Sequence, residues 1–349
     1  MRVVSASGWR LPVAAGLDLH VEDVRPDDGP PGAWPPEDPR PGETLPPGEK
    51  PPSGEKLPPS GPQPPRETRP VGAPRAGVGA DGSPVVLVHG IAGSTADWAA
   101  VAADLATSRR VIAYDHRGHG ASGRAPGGRA GYSFGLLLAD LTALIATLGP
   151  AGVHLVGHSL GGVIALRYAL DHPGRVRSLV LVDTAAAPAT GPVAKRIVAA
   201  VLEGVAAIAS GTGPAHADGR SGGTADGPVG AAEVSGSVGA VHDHRSPAQR
   251  QVEGLGQADP DALAALGREL GDYPSLVPRL GEITVPTTVI VGEHDSTLRA
   301  GARTLAHGIP AAHLAVIAGA DHSPQVSRPL AWLAAVDDHF ARVEAAAAG

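Results

Sequence analysis

The chain has no cysteine. That excludes disulfides, thiolate catalysis and cysteine-based zinc sites, and leaves compartment open. Aromatic residues make up 3% of the sequence, so alanine, valine and leucine must fill the interior, which suits a parallel sheet covered by helices on both faces. No basic cluster is present and the net charge is -7, so no nucleic-acid partner is expected. There is no uncharged run long enough to span a bilayer, and Met1 to Arg10 contains no sustained apolar segment. The expectation is a soluble, cytoplasmic protein. What the chain has in quantity is glycine and proline, 48 and 35 residues. Its 349 residues allow one large α/β domain with an embellishment, or two domains.

The stretch that organises the rest is Val153-His154-Leu155-Val156-Gly157-His158-Ser159-Leu160-Gly161-Gly162. Val153 to Val156 has the length of a buried strand, and Leu160 to Leu170 is apolar nearly all round, as a helix packed on a sheet would be. Between them the chain must turn within two residues. Such a turn strains the backbone at Ser159, and Gly157 and Gly161, lacking a Cβ, let strand and helix approach. The hydroxyl is then held out at the strand's carboxyl edge, where the helix dipole and the free N–H of Leu160 can face an anion.

This segment resembles the nucleophile elbow of the α/β-hydrolase superfamily, which reads G-H-S-x-G-G in many members. The resemblance spans roughly Ser83 to Val343 outside the cap. It implies an α/β-hydrolase fold: a mostly parallel central sheet, helices on both faces, and a helical cap insertion.

Residues Leu11 to Val24 alternate weakly, with Leu17, Leu19 and Val21 on one side and Asp18, His20 and Glu22 on the other, which reads as a half-exposed, antiparallel edge strand; residues 1–25 are expected to hold edge strands. Residues 26–75 hold about half of the prolines and an imperfect repeat around Pro46–Lys56. Such a stretch cannot build a core and reads as a disordered or polyproline-II insertion, a linker before a partner-docking segment. The pattern allows two placements: an interruption of the domain, if residues 1–25 join the sheet, or the end of a tail.

Residues 76–184 and 283–349 form the expected core. Pro84–His89 reads as a central strand ending at Gly90, and the resemblance makes the N–H of Ile91 the second oxyanion donor. Trp98, Val101 and Leu105 recur at helical spacing behind the capping candidates Ser94 and Thr95. Val111–Tyr114 is a strand, and Asp115-His116-Arg117-Gly118-His119-Gly120-Ala121-Ser122 resembles the family's D-x-R-G-x-G-x-S loop, an architectural segment with loop histidines. Leu136–Leu148 is a helix leading to the elbow, and Val176–Val182 a strand closing at Asp183.

Residues 185–282 break the strand–helix rhythm and stand where the family inserts its cap. One amphipathic helix is expected over Val193–Ile208 and another from Asp259-Pro260 to Gly271, with a mobile Gly/Ala/Ser-rich segment around 210–246. His242-Asp243-His244 offers metal-binding residue types without a third ligand at a telling spacing, and reads as a solvated loop. The strand after Pro286 ends near Asp295 and the strand after Leu314 ends near His322, with a helix over Leu298–His307 between them. Leu333, Val336, Phe340 and Val343 mark a closing helix.

A serine hydroxyl holds its proton too tightly to attack unaided. An imidazole can take that proton and return it to the leaving group, while a carboxylate fixes its tautomer. The order Ser159, Asp295, His322 is the family's nucleophile, acid, base order, and all three fall just past strand ends. Glu293 and Asp183 compete for the acid role, and Asp321, adjacent to His322, points away. These residues imply a serine hydrolase working on a carboxylic ester of a small-molecule substrate through an acyl-enzyme, with neither cofactor nor metal. The same triad serves thioesterases, acyltransferases and cofactor-free perhydrolases, and a non-catalytic ligand-binding scaffold is the reading of another class. Serine, where dehalogenases and epoxide hydrolases of this fold carry aspartate, disfavours those two reactions.

Overall fold

A computed structural model describes residues 4–26, 82–188 and 257–348. The proline-rich stretch beyond Pro26, the expected helix over Val193–Ile208, the 210–246 segment and His242–His244 lie outside the described residues.

In chain order the described elements are β1 (Val4–Ala14), β2 (Leu17–Pro26), β3 (Val85–Val88), α1 (Ala99–Ala106), β4 (Val111–Tyr114), α2 (Phe134–Thr147), β5 (Val153–His158), α3 (Leu160–Asp171), β6 (Val176–Val182), α4 (Pro260–Leu270), β7 (Thr287–Gly292), α5 (Arg299–Gly308), β8 (His313–Ile317) and α6 (Pro329–Ala348). The strands form one sheet in the order β1-β2-β4-β3-β5-β6-β7-β8. From β4 to β8 every pairing is parallel, while β2 runs antiparallel to both of its neighbours. Parallel neighbours need crossovers, and the amphipathic helices between them supply these.

The amino end, where possible edge strands were expected within residues 1–25 and a half-exposed strand over Leu11 to Val24, joins the sheet. There are two strands. β1 is the edge, and β2 lies inside the sheet with Val21 opposite Tyr114. A turn through Gly16, at φ 71°, joins them. This hairpin leaves little trace in the sequence because most of β1 is exposed and carries no apolar alternation.

Residues on successive positions of a strand face opposite sides of the sheet, and the core divides accordingly. Val86 and Val88 join a cluster with Leu137, Leu141, Ile164 and Leu166 of α2 and α3. Val85 and Leu87 face the other layer, with Val101 of α1 and Leu333, Val336 and Phe340 of α6. Trp98 and Trp332 meet there at a ring separation of 6.0 Å. Beneath α6 the apolar layer is crossed by a buried polar chain: Ser178 Oγ lies 2.8 Å from both His154 Nδ1 and His339 Nε2, and Thr288 Oγ1 lies 2.8 Å from His339 Nδ1.

Asp259 caps α4 by accepting the Asp261 N–H at 3.0 Å, with Pro260 in the first turn. α4 is bound to the core rather than standing clear of it. Tyr132 donates its hydroxyl to Asp259 Oδ2 at 2.6 Å, Leu263 packs with Ala92 and Ala258, and Leu266 enters the main core.

Candidate active site

The carboxyl ends of β3, β5, β6, β7 and β8 gather at one rim of the sheet, and the sequence-predicted site residues stand there. Ser159 follows β5 directly, at φ 53° and ψ −119°, a conformation an L-residue adopts only under constraint. Packing supplies the constraint. A Cβ on Gly157 would sit 2.7 Å from the Cα of Gly162, and one on Gly161 would come closer than 3.0 Å to the carbonyl oxygens of Val88 and His89. The backbone of Ser159 is also tied to the next strand, its N–H donating to Val182 O at 2.9 Å and its carbonyl accepting from Thr184 Oγ1 at 2.7 Å.

His322, in the loop after β8, places Nε2 3.1 Å from Ser159 Oγ and Nδ1 2.7 Å from Asp295 Oδ2. The three residues named from the sequence are therefore brought into one hydrogen-bonded line. Asp295 lies in the turn after β7, buried, while His322 is about two-fifths exposed and so open to a substrate from solvent. Burial pushes the Asp295 carboxyl up, but the hydrogen bond and charge of His322 and the Leu298 N–H outweigh it and hold the group below the ordinary carboxylate range. An ionised Asp295 fixes the tautomer in which Nδ1–H donates to it and Nε2 accepts from the Ser159 hydroxyl.

The turn 90–93, closed by the Gly93 N–H to Gly90 O at 3.1 Å, starts against Ser159. A Cβ at Gly90 would lie 3.1 Å from Ser159 Cβ, so the start of this turn, one residue before Ile91, packs directly on Ser159. Leu160 begins α3, and the first N–H groups of a helix have no intrahelical acceptor.

The competing acids stand elsewhere. Glu293 Oε2 accepts the Gly319 N–H at 2.8 Å, and Asp321 Oδ1 accepts the Ser323 N–H at 3.1 Å, both on the exposed side. Asp183 is fully buried beside Asp295 and does not bond the imidazole.

Sequence reasoning missed His158. Its ring is buried and its Nε2 lies 2.7 Å from the carbonyl of His322, bracing the loop that carries His322. Burial and the neighbouring His322 push it down to about 3, so it is neutral and Nε2–H donates. Only its place inside the elbow motif could have marked it.

His116 and His119, read as loop histidines, stand in a loop that folds inward. Both are buried beside His89, whose ring lies 4.3 Å from that of His116, and burial holds His89 and His119 down at about 4. The loop itself is knitted by Asp115, which accepts the N–H groups of Thr95 and Ala121 at 2.7 Å each. Arg117 reaches Asp140 of α2 in a buried, two-pronged pair at 2.5 and 2.7 Å.

A parallel sheet with flanking crossover helices and a serine on a strained strand-to-helix turn defines the α/β-hydrolase fold. Comparison with known proteins agrees: a family model described as the alpha/beta hydrolase fold matches residues 83–218. The RutD protein of Variovorax paradoxus (strain S110), assigned as a carbamate hydrolase, is 43% identical over 111 residues, covering 31% of this chain and 41% of that protein. The fluoroacetate dehalogenase of a Burkholderia species is 42% identical over 108 residues, 30% of this chain and 36% of that one. The chain thus spans about two-fifths of these curated relatives. Among solved structures, the enol-lactonase from Burkholderia xenovorans LB400 is 26% identical with a TM-score of 0.57, over 74% of this chain and 91% of that one. The chain thus has the α/β-hydrolase fold, and its residues 83–218 are similar to that family. No helix among the described residues is long and apolar enough to cross a membrane.

Proposed function

We infer that this protein is a serine hydrolase that cleaves a carboxylic ester through an acyl-enzyme. The observation that carries the reading is the line Ser159 Oγ, His322 Nε2, His322 Nδ1, Asp295 Oδ2, with separations of 3.1 and 2.7 Å. As Ser159 Oγ attacks the carbonyl carbon, its proton passes to Nε2, the imidazolium is steadied by Asp295, and Nε2 then protonates the leaving alcohol. Water, deprotonated by the same nitrogen, releases the acid. Positioned proton transfer of this kind contributes ~10²–10⁴-fold, and each oxyanion donor on the order of 10²–10³-fold. The N–H groups of Ile91 and Leu160 are the donors in this reading.

Among the relatives' printed activities, a lactonase acts on a cyclic ester and a carbamate hydrolase on an acyl bond, and both fit a seryl nucleophile. A dehalogenase fits less well, because position 159 holds serine and not aspartate. The test is labelling with a fluorophosphonate together with turnover of an activated ester. Wild type should label and turn over, and Ser159→Ala should do neither. Equal turnover by Ser159→Ala would remove the claim.

A further inference from the structure

Asp183 ends β6 at φ 41°, fully buried, with its N–H donating to Ile290 O at 2.9 Å. Its Oδ1 accepts the Gly292 N–H at 3.0 Å, whereas Oδ2 is buried and receives no N–H or O–H from the described residues; what faces the Asp183 carboxyl is the carboxyl of Asp295. Yet one oxygen of Asp183, one of Asp295 and a ring nitrogen of His322 all lie within 4.8 Å of one another. The titratable groups facing Asp183 are Asp295 from the turn after β7, and Asp321 and His322 from the loop after β8.

Two carboxylates in one dry pocket repel, so a proton is retained on one of them. The donors decide which. Asp295 receives N–H groups from Thr297, Leu298 and His322, and Asp183 receives one, from Gly292. Ionisation therefore belongs to Asp295. Protonation also resolves the orphaned oxygen of Asp183, because an acceptor without a donor becomes a donor with an anion nearby.

We propose that Asp183 is a neutral carboxylic acid at pH 7 and a positioning residue, its O–H donating to the Asp295 carboxylate and holding it toward His322. Burial above all, and then the charges of Asp295 and Asp321, outweigh the Gly292 N–H and push Asp183 up to about 9. Asp295 moves the opposite way, as an anion receiving that donor should. The left-handed backbone at 183, which aspartate tolerates better than most residues, fixes where the carboxyl points.

The protonation claim stands apart from the reaction, while the effect on rate rests on the serine-hydrolase reading. Three variant measurements test them. Folded wild type keeps a proton on Asp183 that the unfolded chain releases above pH ~4, so wild type should lose Tm relative to Asp183→Asn as pH rises from about 4 to about 8. A gap that stays constant across that range overturns the proposal, and this readout needs no turnover. In kcat/KM, Asp183→Asn should leave the acid limb where wild type has it, because a neutral donor replaces a neutral donor. Were Asp183 ionised, the substitution would remove a negative charge near His322 and move the limb to lower pH, which also overturns it. Asp183→Ala should lower kcat roughly tenfold with KM unchanged, the loss of one charge-assisted hydrogen bond, and Asp183→Asn should restore kcat to near wild type. Absence of ester turnover in wild type would count against the serine-hydrolase reading alone, and the Tm comparison would still decide the proton.

Discussion

Gly161→Ala tests whether the nucleophile is held by close packing of α3 on the end of β3. The added methyl would come within 3.0 Å of two backbone oxygens, those of Val88 and His89, where ordinary contact lies between 3.4 and 4 Å. Neither oxygen belongs to a flexible side chain, so α3 must lift by roughly an ångström. Overpacking of this kind costs ~1–3 kcal/mol, and contact with two backbone atoms argues for the upper end. Alanine returns up to ~1 kcal/mol of helix propensity, less in a first turn than in a helix interior. A net loss of about 2 kcal/mol remains, or ~3 °C in Tm for a domain of this size. Lifting α3 also carries Ser159 away from His322, starting from 3.1 Å, and a misplacement of that order costs ~10²-fold in kcat/KM. The assay is thermal unfolding and ester turnover, run beside Gly174→Ala, where an added methyl meets nothing within 4 Å. If Gly161→Ala matches the Gly174 variant in both measurements, the packing account is wrong.

Two further outcomes follow from groups outside the catalytic line. Asp140→Leu leaves the Arg117 guanidinium buried without its carboxylate and should cost ~3–5 kcal/mol in urea unfolding, whereas Arg117→Met combined with Asp140→Leu should recover most of that loss; a double variant no better than the single one would contradict it. His89, His119, His158 and His339 are held by burial at about 4, 4, 3 and 3. The unfolded chain binds those protons first, so the stability they allow is complete above about pH 6.5 and falls toward pH 4, by up to ~1.4 kcal/mol per pH unit for each ring. Equal urea midpoints at pH 7 and pH 5 would refute this.

The parallel strands were legible because each is a short apolar run ended by glycine or a polar turn, as at Val85–Val88 and Val153–His158. The line Ser159, His322, Asp295 was legible from chain order and strand ends together, since neither Asp295 nor His322 carries a local pattern of its own. β1 was not, because an exposed strand buries too little to leave a periodic trace. Nor were the roles of His158 and Asp183. Whether a polar side chain is buried, and what meets its second oxygen or nitrogen, depends on segments more than a hundred residues away, such as His322 for His158 and Asp295 for Asp183. The architectural reading of the loop after β4 was legible from its motif, but the inward packing of His116 and His119 onto His89 was not, because it depends on a segment more than twenty residues away.

Because the peptide units on both sides of Ser159 are pinned to the end of β6, the reacting oxygen cannot loosen by fraying of a single loop. Release requires β5 and β6 to part, and that pair lies in the middle of the sheet. Ser159 therefore keeps its place until the sheet itself melts.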